Sequence, residues 1–271
     1  MNSEFSIPYN ISLHEKKITE YFGDRENVYV ESRDDRFVGY KFYFVCFMNR
    51  SGSNFLAELV ASDKRYCKAL ENLNAHPVIS NSEEHGHTRF VDYLHWLVSR
   101  FATDEKVFGV KVSWDQLYFL TKIGVISNCF SNAKFLHIVR EDVISQAVSF
   151  SIASQTKQWT SEQKASLAIE NVTYDSEAIE SSILGINNSN AKFNLFFDTY
   201  KPEKLSISYE ELSRNKENEL RAVYDFLSYF ELDTHNFSLE SSIRKQSNEL
   251  NERFVNKFSS SKKLWDYPVA S

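Results

Sequence analysis

The sequence predicts an α/β fold in which a central parallel sheet is flanked by helices. Four short apolar runs carry that expectation: YKFYFVCFM at 40–48, VFGVKVSW from Val107, KFLHIVR from Lys134 and KLSISY from Lys204. Each is followed by a helical pattern, and strands that alternate with helices build parallel sheets. The first run is almost continuously apolar, as a strand covered on both faces must be. Between it and the helical FLAELV stands NRSGSN, a small-residue turn that joins strand to helix.

The elements follow in order. Residues 1–38 have mixed polarity without a sustained period and read as an N-terminal extension, with a helix near His14 to Phe22. The functional domain is expected over 39–271. Residues 63–88, with HPV, NSEEHGH and scattered charge, read as an excursion outside the sheet, the kind of connection that carries function. In TRFVDYLHWLVSRF, from Thr88 to Phe101, helical spacing puts Phe90, Leu94, Leu97, Val98 and Phe101 on one packing face. In such sheets ligands bind at the carboxyl ends of strands, so motifs placed just after a strand carry the most weight.

Composition narrows the function. With 42% hydrophobic and 15% aromatic residues against 7 Gly and 4 Pro, the 271 residues can fill one continuous core. The formal charge of -6 argues against a nucleic acid or an anionic membrane as partner, since either requires a basic face. Any anion site must therefore be local. Cys46, Cys67 and Cys129 form no CxxC spacing and have no partnering His cluster for zinc, which fits a reduced, cytoplasmic setting. MNSEFSIPYN lacks the basic start and apolar stretch of a signal peptide, and no later run approaches the ~20 apolar residues of a membrane span.

A helix start exposes unpaired N–H groups and the positive end of a dipole, so a strand-to-helix turn can receive an anion. At Arg50-Ser51-Gly52-Ser53-Asn54 the glycine lets backbone approach a ligand, the hydroxyls and amide donate, and Arg50 supplies a positive fork. An ordinary serine-capped turn is the alternative. The turn is not a GxxxxGK[ST] phosphate loop, which counts against a P-loop kinase or hydrolase. A second anion region follows the third strand, where Arg140 ends the strand and Ser145 and Ser149, four residues apart, share a helical face. There the alternative is an Arg140 paired with Glu141 or Asp142. Two such regions imply a bis-phosphorylated ligand.

On these blocks the chain resembles the sulfotransferase superfamily, in particular the bacterial trehalose 2-sulfotransferase family. RSGSNFLAEL looks like that family's 5'-phosphosulfate loop, FGVKVSW like its central strand motif, and HIVREDVISQAVSFSIASQTKQW like its 3'-phosphate segment. A weaker likeness runs through ISYEEL and LESSIRKQSNELNERFVNKF. The resemblance implies a P-loop-like sulfotransferase fold, 3'-phosphoadenosine-5'-phosphosulfate (PAPS) as donor, 3'-phosphoadenosine 5'-phosphate (PAP) as product, no metal, a small-molecule acceptor and a homodimer. Residue by residue it assigns Arg50, Ser51, Gly52, Ser53 and Asn54 to the phosphosulfate and Arg140 with Ser149, and Ser145 as the second serine, to the 3'-phosphate. Lys245-Gln246 would close over the nucleotide. Phe55 falls near adenine or in the core.

Sulfonyl transfer to a hydroxyl needs a group to take the acceptor's proton. Glu71 stands where the resemblance has its glutamate base, although Cys67 and Ala69 replace the family's nearby Gly and Pro, and a solvated surface glutamate is the alternative. His76, His85 and His87 have the pKa range for the same work. Lys111, in the strand motif, is read either as a contact to the sulfonyl group or the acceptor, or as a partner of Asp115 or Glu141. Trp96, Trp114 and Trp159 are read as core residues or as walls of an acceptor pocket, and His137 as a strand histidine facing the core. Two other classes remain open at this stage, a nucleotide kinase or hydrolase and a non-catalytic nucleotide-binding module.

Overall fold

The computed structural model describes residues 11–160, 163–230 and 249–261. Four strands, β1 (Lys41–Phe47), β2 (Val107–Val112), β3 (Lys134–Val139) and β4 (Lys204–Ser208), form one wholly parallel sheet in the order β2-β1-β3-β4. Helices α1 (Leu13–Phe22) and α2 (Arg25–Val28) precede β1. Between β1 and β2 come α3 (Ser53–Val60), α4 (Ala75–His85) and α5 (Phe90–Phe101). The short pair α6 (Trp114–Lys122) and α7 (Val125–Asn128) leads to β3, while α8 (Val143–Thr156) and α9 (Ser176–Tyr200) lead to β4. The last described elements are α10 (Tyr209–Arg214), α11 (Lys216–Leu227) and α12 (Glu249–Ser261).

Winding runs one way from β1 to β2, then crosses back so that β3 lies on the other side of β1. The sheet's switch point is thus at the carboxyl ends of β1 and β3, where a crevice opens in folds of this kind. Helices cover both faces. On β1, Phe42, Phe44 and Cys46 join one buried cluster while Tyr43, Val45 and Phe47 join another, as the two-residue period of a strand requires. Every one of the six is buried, which explains why the run shows no polar alternation.

Residues 13–37, expected as part of an extension, contribute Ile18, Phe22, Val28 and Phe37 to the first cluster. On α5, Phe90, Leu94, Leu97 and Val98 are buried as the helical spacing predicts. Phe101 is 38% exposed, since it lies in the last turn and meets Trp96 only edge-on. Among the described residues no helix is long and apolar enough to cross a membrane.

His137 on β3 lies between Phe193 and Phe197 of α9, with ring centroids 5.1 and 5.4 Å away. Its Nε2 is buried without a hydrogen-bond partner, and burial pushes its pKa down to about 4. His14, edge-on to Phe119, is likewise lowered to about 4 by burial. Both folded values lie below the unfolded one of 6.5. The unfolded chain therefore takes up protons first, and stability present above that value is lost as pH falls from 6.5 towards 4. For fully buried His137 the expected loss at about pH 5 is ~2 kcal/mol. Urea midpoints taken at about pH 7.5 and about pH 5 should show the drop, and His137→Phe should make it shallower.

Candidate active site

The turn after β1 is shaped by two residues in the left-handed region, Arg50 at φ 66° and Gly52 at φ 86°. Gly52 caps α3 with no side chain of its own. A Cβ there would lie 2.2 Å from Cδ2 of Tyr209, so glycine is required both by the backbone angle and by the aromatic wall beside it. Ser51 Nα donates to the Met48 carbonyl at 3.1 Å, closing the turn. Ser51 is 1% exposed, and its Oγ has no hydrogen-bond partner. Ser53 is buried in the first turn of α3.

Arg50 does not project from this turn into open solvent. Its Nε donates to Ser149 Oγ at 2.9 Å and its Nη1 to the Trp159 carbonyl at 2.8 Å, which ties the turn after β1 to α8. Arg140, at the end of β3, sends Nη1 to the Arg50 carbonyl at 3.5 Å. Its Nε is buried without a hydrogen bond, 3.8 Å from Glu210 Oε1, and its guanidinium carbon lies 5.1 Å from the centre of the Tyr209 ring. Burial, and after it the Arg140 charge, holds Arg50 below the usual guanidinium value. Two half-buried cations side by side repel one another, and an anion between them would relieve that repulsion. Gln146 on α8 donates Nε2 to the Asn49 carbonyl at 2.9 Å while its Oε1 has no partner. Three buried atoms without a hydrogen bond, on Ser51, Arg140 and Gln146, thus gather at one turn, where native interiors leave few.

A second group stands beside α3. The excursion after α3 returns to the sheet edge through a bridge between Leu70 and Val110, with the Leu70 carbonyl accepting from Lys111 Nα at 2.9 Å. That contact brings Glu71 to Lys111. Lys111 is 2% exposed; its Nζ donates to Glu71 Oε1 at 2.7 Å and to Asn54 Oδ1, and lies 4.3 Å from the centre of the Phe47 ring. Burial lowers the Lys111 pKa, and the Glu71 carboxylate draws it back up. Glu71 keeps 39% of its side chain exposed, so the ammonium is dry while its partner reaches solvent. Asn74 Nδ2 donates to Glu71 Oε2 at 3.1 Å.

The other residues named from sequence divide. Ser149 is paired with Arg50 rather than with Arg140. Ser145 sits in the first turn of α8, where its Nα donates to Asp142 Oδ1 at 2.9 Å. Neither expected partner of Lys111, Asp115 or Glu141, is the one found. Nor does Arg140 pair with its sequence neighbours, because Glu210 reaches it from α10 and accepts from the Nα groups of Glu141 and Asp142. His85 and His87 pack with Trp96, at centroid distances of 4.7 and 5.9 Å. They belong to the α4 and α5 corner, and burial lowers His87. Phe55 is half-buried with Lys216 Nζ 5.5 Å from its ring centre. Trp114 is buried against Phe193, and His137 lies in the core as expected. Lys245 and Gln246 lie outside the described residues.

Tyr209 and Glu210 were not singled out from sequence. Their position immediately after the fourth strand was the available signal, by the same rule that picks out Arg50 and Arg140.

The family model of Stf0 sulphotransferases matches residues 42–261. The chain belongs to that family and is a sulfotransferase. A comparison with curated proteins finds no match. Among solved structures, the sulfotransferase domain of the Synechococcus PCC 7002 olefin synthase is 15% identical, covering 85% of this chain and 96% of its own, with a TM-score of 0.49. A sulfotransferase from Alicyclobacillus acidocaldarius is 14% identical over 80% of this chain and 91% of its own, with a TM-score of 0.45. A mouse sulfotransferase solved with PAP is 13% identical over 85% of this chain and 67% of its own, with a TM-score of 0.42.

Proposed function

We propose that this sulfotransferase moves the sulfonyl group of PAPS onto a hydroxyl, or an amine or carbamoyl nitrogen, of a small-molecule acceptor such as a sugar or specialised metabolite, and releases PAP. The observation that carries the donor assignment is the pair of guanidinium groups, Arg50 and Arg140, held together at one turn beside the unpaired Ser51 hydroxyl. A phosphate there would accept from Ser51 and Arg140 and neutralise the repulsion. The backbone N–H groups that open α3 after Gly52 suit the same group.

In the reaction the acceptor oxygen or nitrogen bonds to sulfur as the bond from sulfur to the 5'-phosphate oxygen breaks. Negative charge collects on that oxygen as it leaves with PAP. Lys111 is the cation for it, already dry and already in contact with Asn54 at the start of α3. The acceptor's proton passes to the Glu71 carboxylate, which is exposed enough to meet an acceptor and close enough to Lys111 to act beside the same sulfur. Arg50, engaged with Ser149 and Trp159, contributes charge and fixes the two phosphate regions relative to one another. Because the positive charge comes from side chains, the scheme gives magnesium no role.

Calorimetric titration with PAP and with ATP, without magnesium, tests the donor. PAP is expected to bind tightly and ATP weakly, and Arg140→Ala is expected to weaken PAP by about 10- to 100-fold, the worth of a charge-assisted hydrogen bond. Preference for ATP would support a kinase or hydrolase instead, and no binding of either would sink the reading.

A further inference from the structure

We propose that Gln116 and Asn74 are positioning residues that orient the Glu71 carboxylate through a hydrogen-bond relay whose polarity is set by the backbone, an inference that rests on Glu71 acting as the base. The relay starts at the first turn of α6. Ser113 Nα donates to Gln116 Oε1 at 2.8 Å, half of a capping box whose other half is Ser113 Oγ accepting from Gln116 Nα. A backbone N–H can only donate, so it fixes the Gln116 amide with oxygen towards Ser113 and nitrogen outward. That nitrogen, Nε2, donates to Asn74 Oδ1 at 2.7 Å. Asn74 must then present its own nitrogen to Glu71, and Nδ2 lies 3.1 Å from Oε2. Lys111 donates to the other oxygen, Oε1. Both carboxylate oxygens are therefore held by donors whose direction cannot reverse.

The position of Asn74 supplies an independent reason to read the relay as more than packing. Asn74 is the N-cap residue of α4, yet its side chain makes no capping bond. Asparagine is among the best capping residues, and such a cap is worth ~1 kcal/mol. Here the oxygen that would cap the helix is turned to Gln116 instead. Gln116 itself is 3% exposed, so its amide has no water with which to exchange partners. The charged groups that face Glu71 are Lys111 from β2 and, acting on Lys111, Lys68 from the same excursion.

Gln116→Glu tests the relay cleanly because glutamate also completes a capping box. The variant keeps the cap of α6 but offers Asn74 only acceptors, so the Asn74 amide should reverse and point its oxygen at Glu71. The Glu71 carboxyl signal can be followed against pH by carbon-13 NMR in protein labelled at glutamate, assigned with Glu71→Gln. In Gln116→Glu it is expected to titrate about half a pH unit or more above wild type, as loss of a donor to the charged form requires. PAP affinity should stay at the wild-type level, while the urea midpoint should fall, since a carboxylate replaces a buried amide. Asn74→Leu should raise the titration as well, and in its background Gln116→Glu should add little. Superimposable titrations in all variants, or an undiminished shift in the double variant, which would mark direct charge repulsion, would overturn the relay. The base reading fails separately, if Glu71→Gln leaves PAP release from PAPS unchanged.

Discussion

Gly52→Ala is expected to lower the stability of the fold by about 3 kcal/mol and to abolish tight binding of PAP. Two costs combine: an alanine held in the left-handed region, and a methyl group forced against a ring it would meet at 2.2 Å. Tyr209 separates them. In a Tyr209→Ala background the steric part disappears and only the backbone part, about 1 kcal/mol, should remain. Urea unfolding of the four proteins measures this. An equal cost of Gly52→Ala in both backgrounds would mean that Tyr209 is not the wall of the turn.

Lys111→Met should reduce PAP release from PAPS by about 10²- to 10³-fold, the effect of removing one preorganised positive group from a developing anion. Affinity for PAP should change far less, because Arg50, Arg140 and Ser51 are untouched. Stability offers the contrast. Lys111 is 2% exposed while Glu71 remains open to water, so methionine removes a desolvated charge and leaves a carboxylate that solvent can satisfy. The urea midpoint is therefore expected to hold or rise slightly. A rate near wild type together with a lowered midpoint would instead make the ion pair a structural one.

The parts of this site that sequence made legible are those written in adjacent residues. The strand-to-helix turn at Arg50 to Asn54 and the Arg140 segment between β3 and α8 could be read because apolar runs, a glycine and arginines at strand ends lie next to one another. Pairings across the fold could not. Lys111 meets Glu71 because the excursion after α3 re-enters the sheet at Leu70, a bridge that leaves no period in the sequence, and the neighbours considered for it, Asp115 and Glu141, are close only along the chain or in type. Glu71 was located by resemblance, whereas its holders Asn74 and Gln116 were missed. The capping box from Ser113 to Gln116 is local, and it says nothing about what the free end of the glutamine touches. The α1 region shows the converse, since its buried face is short and interrupted, and it reads as an extension until Ile18 and Phe22 are seen packed.

The wall that Tyr209 forms against Gly52, and the brace that Glu210 forms against Arg140, both arrive late in synthesis. When the ribosome has released β1, β2 and β3, the two arginine-bearing turns can already be tied to α8 through Ser149 and Gln146, but the wall and the brace are added only when β4 is laid beside β3 and α10 follows it. A nascent or truncated chain ending before residue 209 would thus carry Arg50, Arg140 and Lys111 without the ring against Gly52 or the carboxylate beside Arg140. The last strand thus closes, from its own carboxyl end, a pair of turns that the first three strands leave open on that side.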